Sequence, residues 1–214
     1  MSRLSAQSIH ELCVAEKPLI SPYSPEKVVV NGKSAGRSSA SYDCCIDHDL
    51  ELGVNPAFMI ADHVMKWGFT QPQLLKEALE ANPPMTALAY TQEDFWMPAN
   101  VSGDVCDKSS YARVFVSAFN TFFDPGFHGN GTLELVNLSD KPVSIKKGDP
   151  ICQFIFTWLD RPTDRPYDGK YQHQTKGAHP ARYELPNGAY MLLEHVGPTG
   201  AVDPATLQLI ARPE

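Results

Sequence analysis

The chain has 214 residues, enough for one large domain or two small ones, and at 43% hydrophobic and 20% charged it has an ordinary globular composition. A formal net charge of −7 leaves no strong basic field and argues against a general nucleic-acid binder. A small anionic ligand stays open, because it needs only a local cluster of cations.

The 18 prolines and 14 glycines predict many short strands and turns rather than long helices. No apolar run is long enough to span a membrane, and no signal-peptide pattern opens the chain. Cys13, Cys44, Cys45, Cys106 and Cys152 are odd in number and contain no C-x-x-C pair. Free thiols in a reducing cytoplasm, with no zinc site, are the expectation.

In chain order, residues 4–14 read as a short helix with Ser5 as its cap. Pro18 and Ser21-Pro22-Tyr23-Ser24-Pro25 end it, and a strand over 27–30 follows with a turn at Asn31-Gly32. Residues 50–54 continue an extended pattern. The pattern then changes: Leu74, Leu75, Ala78 and Leu79 form a helical stripe, with Thr70 as N-cap, Pro72 in the first turn and Pro83-Pro84 beyond the end. Residues 55–84 are therefore expected to be a helical insertion between strands.

Strands return at 86–90 and 95–97, then near 113–119, 131–137, 142–146 and 151–158, separated by tight turns such as Asp124-Pro125-Gly126 and Lys147-Gly148-Asp149-Pro150. Short strands at this spacing predict a barrel or sandwich. Residues 160–181 read as loop. The tail, 182–214, carries one further strand signal at Met191-Leu192-Leu193. The whole reads as one domain, 1–214, with the insertion and the tail as additions.

Several active-site signatures are missing: the phosphate loop, the dinucleotide G-x-G-x-x-G, the G-x-S-x-G elbow and the zinc deaminase pattern. His48, His63, His128, His173, His179 and His195 lack metal-ligand spacing. Three features remain. Thr132-Leu133-Glu134-Leu135-Val136 alternates, which puts Leu133 and Leu135 on one face and Glu134 with Val136 on the other. Val136 suggests that this second face is partly covered, which makes Glu134 a candidate general base; a solvent-facing glutamate is the plain alternative. The other two features are polar clusters, Lys108-Ser109-Ser110 with Arg113, and the run from Arg165 through Tyr167 and Lys170 to Gln174. They could together grip a polyphosphate, or be two solvated loops that never meet.

The order K-S-S-Y-A-R, then F-D-P-G-F-x-G-x-x-T-L-E-L-x-N, then P-x-x-I-x-x-G-D-x-I-x-Q, then G-K-Y-Q-x-Q resembles the dCTP deaminase branch of the dUTPase-like superfamily. Ser41-Tyr42-Asp43 is similar to that family's early S-x-D strand. The resemblance covers roughly residues 3–54 and 85–178.

It implies an all-β fold, a β-clip or distorted β-barrel with short peripheral helices, assembled as a homotrimer with active sites between subunits. It implies zinc-independent hydrolytic deamination of dCTP to dUTP and ammonia, with Mg2+ carried on the triphosphate. By motif, Glu134 resembles the general base, and Arg113 and Ser109 resemble the residues that orient the water. Asp124 resembles the residue beside the sugar 3′-hydroxyl, and Tyr167 the tyrosine that packs on the sugar. Lys108, Ser110, Lys170 and Gln174 resemble the triphosphate ligands. Lys108 stands where many members have arginine, and the segment from Arg113 to Asp124 is shorter than in some. Two rival readings remain: a bifunctional enzyme that also cleaves dUTP to dUMP and pyrophosphate, and a non-catalytic nucleotide-binding trimer.

Overall fold

A computed structural model describes residues 2–67, 72–184, 190–193 and 207–210. Along the chain these form β1 (Ser2–Arg3), α1 (Ala6–Cys13), β2 (Ile20–Ser21), β3 (Val28–Val30), β4 (Lys33–Arg37), β5 (Tyr42–Cys45) and β6 (Leu50–Leu52). Two helices follow, α2 (Pro56–Trp67) and α3 (Pro72–Ala81), then β7 (Thr86–Trp96), β8 (Val101–Asp107), the single turn α4 (Ser109–Ala112), β9 (Val116–Ala118) and β10 (Phe122–Phe123). The remainder is β11 (His128–Asn137), β12 (Val143–Ile145), β13 (Pro150–Trp158), β14 (Ala181–Glu184), β15 (Tyr190–Leu193) and β16 (Leu207–Ile210). The fold is all-β with short peripheral helices.

Two antiparallel sheets carry the structure. One runs β10-β8-β13-β5-β4-β3 with β1 also on β13; the other runs β2-β7-β11-β9. Their inner faces meet in an aromatic core, where Phe154 of the first stacks on Phe95 of the second at 4.4 Å, and Phe123 packs edge-on against Phe127 and Phe154. Burial of each such ring stabilises the fold by roughly 1.5–3 kcal/mol. Alternation in β11 puts Leu133 and Leu135 into this core, both almost wholly buried, and turns Thr132 and Glu134 to the opposite face.

Local signals account for several elements. The Ser5 hydroxyl accepts from the Ser8 N–H and starts α1. Asn31 and Gly32 both take positive φ, 49° and 75°, so the two-residue turn joins β3 to β4 with the twist a hairpin needs. Asn82 closes the insertion at its base: its side-chain amide donates to the Val54 carbonyl at 2.8 Å and accepts from the Val54 N–H at 2.9 Å. The Thr70 cap expected for α3 lies outside the described residues, as does His195.

The strand expectations need three corrections. Residues 86–96 make one eleven-residue strand, not two, because Gln92-Glu93-Asp94 keeps the two-residue period with Glu93 buried. Residues 101–107 form the central strand β8, which the sequence reading missed: Gly103 and two aspartates disguise it, while Val101 and Val105 point into the core. Residues 113–115 are not strand, since α4 precedes them, Arg113 is its C-cap and Phe115 takes φ 61°. No helix among the described residues is long and apolar enough to cross a membrane, and all five cysteines are free thiols.

Candidate active site

The outer face of β11 is the floor of a cavity of about 440 Å³. Thr132 and Glu134 rise from that floor, and Leu88, directly opposite Glu134 on β7, stands beside them. One wall is the segment through β10 and the turn after it, which carries Thr121, Phe122, Phe123, Asp124 and Phe127. The other is a strap of irregular backbone that brings Tyr167, Lys170, Tyr171, Gln174 and His179 over the floor.

Two glycines permit the strap to lie this close. Gly126 has φ 88°, and a Cβ there would sit 2.6 Å from Pro166 Cβ and 2.9 Å from Tyr167 N. Gly129 has φ 146°, and a Cβ there would meet the Gln174 backbone at 2.8–2.9 Å. Any side chain at either position would push the strap off the floor.

Backbone hydrogen bonds then extend β11 into the strap. Tyr167 N–H donates to Pro125 O at 2.8 Å, His173 N–H to His128 O at 2.7 Å, and Asn130 N–H to Gln174 O at 2.9 Å. Gln172 adds its side chain, accepting from His128 N–H at 2.8 Å and donating to Gly126 O at 2.9 Å and Tyr167 O at 2.8 Å. Gln174, nearly buried, donates to the Asn130 carbonyl and to Thr132 Oγ1. At the outer edge the imidazoles of His128 and His173 approach to 3.2 Å. Burial, and then the His173 imidazole, hold His128 below the usual histidine range.

Glu134 is half-buried and anchored by one oxygen. The Thr121 hydroxyl donates to its Oε2 at 3.0 Å, and among the described residues no hydrogen bond reaches Oε1. The carboxylate therefore has one oxygen held by Thr121, and the residue lines the cavity. Five of the nine expected site residues line this cavity: Glu134, Asp124, Tyr167, Lys170 and Gln174.

The other four lie on a separate shelf. Lys108 caps α4, Ser109 and Ser110 form its first turn, and Arg113 its C-cap; none of them lines the cavity. Ser109, Ser110 and Arg113 are exposed, whereas Lys108 is buried, its ammonium 2.9 Å from Asp43 Oδ2. Asp149 pins the same turn from below, accepting from the Tyr111 hydroxyl at 2.8 Å, Asn31 Nδ2 at 2.7 Å and Lys33 Nζ at 3.0 Å. Beyond the shelf the surface is apolar: Phe115 is 67% exposed, Phe119 56% and Phe122 55%, with Val114 and Leu138 close behind. Exposed apolar side chains clustered in this way are more than the scattered ones an ordinary surface carries.

Some cavity residues escaped the sequence reading. Thr121, the partner of Glu134, sits in an aromatic run where only its hydroxyl set it apart. Leu88 and Thr132 read as ordinary strand residues, and His179 as a loop histidine. No group of three or more His, Cys, Asp or Glu among the described residues is arranged to hold a metal ion.

The family model for dCTP deaminase-like proteins matches residues 3–159. A protein of Aquifex aeolicus named dCTP deaminase, dUMP-forming, is 34% identical over 187 residues, which cover 85% of this chain and 95% of that protein. A dCTP deaminase of Campylobacter concisus is 32% identical over 165 residues, covering 74% of this chain and 87% of the other. A solved dCTP deaminase from Agrobacterium tumefaciens aligns at a TM-score of 0.45 and 16% identity, covering 72% of this chain and 48% of that one.

Proposed function

The chain belongs to the dCTP deaminase family, and from that premise we propose that it hydrolyses the amino group of dCTP, with Glu134 as the general base. The observation that supports this most directly is the anchored carboxylate. Thr121 donates to Oε2, which leaves Oε1 to accept from a water bound in the cavity. Leu88, Phe123 and Phe127 give the floor an apolar surround that suits a pyrimidine and excludes bulk solvent.

The reaction balances with these groups. Water adds through its oxygen to C4 of cytosine while Glu134 takes one of its protons. Glu134 then delivers that proton to the departing nitrogen, the bond from C4 to N4 breaks, the second water proton passes from the C4 hydroxyl to N3, and uracil and ammonia result. A positioned general base contributes roughly 10²–10⁴ in rate. Tyr167 packs on the deoxyribose, with Asp124 at the 3′-hydroxyl. Lys170 and Gln174 meet the phosphates. Mg2+, when bound, would enter on the nucleotide and offset the charge of the triphosphate, held through the phosphates beside Lys170 and Gln174.

The shelf completes the site from a neighbouring copy. Arg113 and Ser109 there orient the water, and Lys108 and Ser110 reach the triphosphate. A homotrimer with interfacial sites gives the exposed aromatic rim a partner and unites the two halves of the expected constellation. Lys108 supplies charge without the two-pronged geometry of arginine, and its ion pair with Asp43 fixes where that charge sits.

A second reading rests on the Aquifex aeolicus relative, whose name makes dUMP the product. On it, a second water attacks the α-phosphate and pyrophosphate leaves. Incubating the purified protein with dCTP, dCMP, CTP and dUTP in the presence of Mg2+ tests both readings. Ammonia and dUTP from dCTP support simple deamination; dUMP with pyrophosphate supports the bifunctional enzyme. Nucleotide binding without ammonia release leaves only a non-catalytic binder.

A further inference from the structure

The cavity wall closes on a residue outside both the family-matched span and the motifs that carry the resemblance: Arg182, in β14. Its backbone N–H donates to the Tyr171 hydroxyl at 3.1 Å. Its guanidinium donates to the Lys170 carbonyl at 2.6 Å, and its own carbonyl accepts from the Lys170 ammonium. The guanidinium also reaches His179 Nδ1 at 3.3 Å, while His179 Nε2 lies 2.7 Å from the Thr175 carbonyl. A guanidinium only donates and a carbonyl only accepts, so these neighbours select the neutral Nε2–H form of His179. Within the loop so closed, Tyr171 N–H donates to the Tyr167 hydroxyl at 3.1 Å, and the Arg182 guanidinium lies over the Tyr171 ring at 5.7 Å.

We infer that Arg182 is a positioning residue: it latches residues 167–182 into a closed loop and thereby holds Lys170 in place for the phosphates. The inference rests on reading the cavity as the dCTP site. Without the guanidinium, the strap keeps its ties to Pro125, Gly126, His128, Asn130 and Thr132 and the Lys176–Asp47 pair, but the turn that carries Lys170 loses the donor to its carbonyl and is held closed by the main chain of residue 182. The order it imposes is prepaid, so its loss falls on binding rather than on chemistry.

Arg182→Met and Arg182→Lys test this in the full-length protein. Two quantities are measured: amide hydrogen exchange across 167–182 without nucleotide, and KM and kcat for dCTP. Arg182→Met should exchange faster there and raise KM by about tenfold with kcat unchanged, the scale of a lost charge-assisted pair. Arg182→Lys should fall between, because lysine keeps the charge but cannot fork between Lys170 O and His179. Wild-type exchange and KM in both variants would overturn the latch, as would a fall in kcat at constant KM. Faster exchange in the variants of a protein that deaminates no dCTP would retain the latch and reject the dCTP reading. Should Arg182→Met fail to fold, Arg182→Lys alone decides by the same two measurements.

Discussion

The cavity and the α4 shelf hold the two halves of one expected constellation, and they are fixed by different physics. In the cavity, candidate side chains sit on a strand and a strap that share backbone hydrogen bonds, with Gly126 and Gly129 allowing close approach. On the shelf, Ser109, Ser110 and Arg113 face outward while their backbone is nailed down by two buried carboxylates, Asp43 and Asp149. The first arrangement forms an enclosed cavity. The second leaves its polar groups exposed beside an apolar rim.

Mutations on the two sides should therefore fail separately and rescue each other. Glu134→Gln should lose about 10²–10⁴ in deamination with the fold intact, since the amide keeps its size but cannot accept the proton. Arg113→Ala should lose about 10² by removing a preorganised cation. Mixed, refolded and reassembled at equal ratio, the two dead proteins should regain about a quarter of wild-type activity if a trimer shares its sites between adjacent subunits. No recovery in hetero-oligomers verified by mass would show that one chain builds the whole site.

Smaller effects sharpen the contrast. Asp149→Asn should destabilise the shelf by roughly 1–3 kcal/mol, because Lys33 and Tyr111 lose a charged acceptor. Burial alone would raise this carboxyl, but donors from Asn31, Lys33, the Lys146 N–H and Tyr111 hold it below the ordinary aspartate range. Its contribution is thus full above the unfolded-state value and lost as pH falls through the folded one. Urea melts at falling pH should show the wild type losing its advantage over the variant.

The last prediction has the opposite sign. Burial pushes Glu93 up to about 8 despite the Cys45 N–H that it accepts. The folded protein keeps a proton that the unfolded chain releases, so this group's contribution is full below about 4.5 and is lost as pH rises towards 8. Glu93→Gln should flatten that fall in melting temperature without touching the cavity. An unchanged slope would mean that Glu93 is ionised in the folded state.

The alternation of Thr132 to Val136 already separated a core face from a covered polar face, because side-chain direction in a strand follows from backbone geometry alone. Pro and Gly punctuation likewise located most turns, since those residues act locally. Strand β8 was hidden because Gly103, Asp104 and Asp107 have low strand propensity, and only pairing with β13 and β10 overrides it. Thr121 and Arg182 were illegible for a related reason: a hydroxyl thirteen residues from its glutamate, and an arginine that closes on Lys170 twelve residues back, gain meaning only when the chain returns.

The sequence by itself determined the barrel-or-sandwich pattern, and through the resemblance of its motifs the family and the nine candidate residues, because turn spacing and motif order are properties of the chain. Only the tertiary structure decided that five of them share a cavity while four stand on a shelf elsewhere. That division depends on which distant strands pair and which carboxylates are buried beneath them, and long-range packing of this kind leaves no local trace.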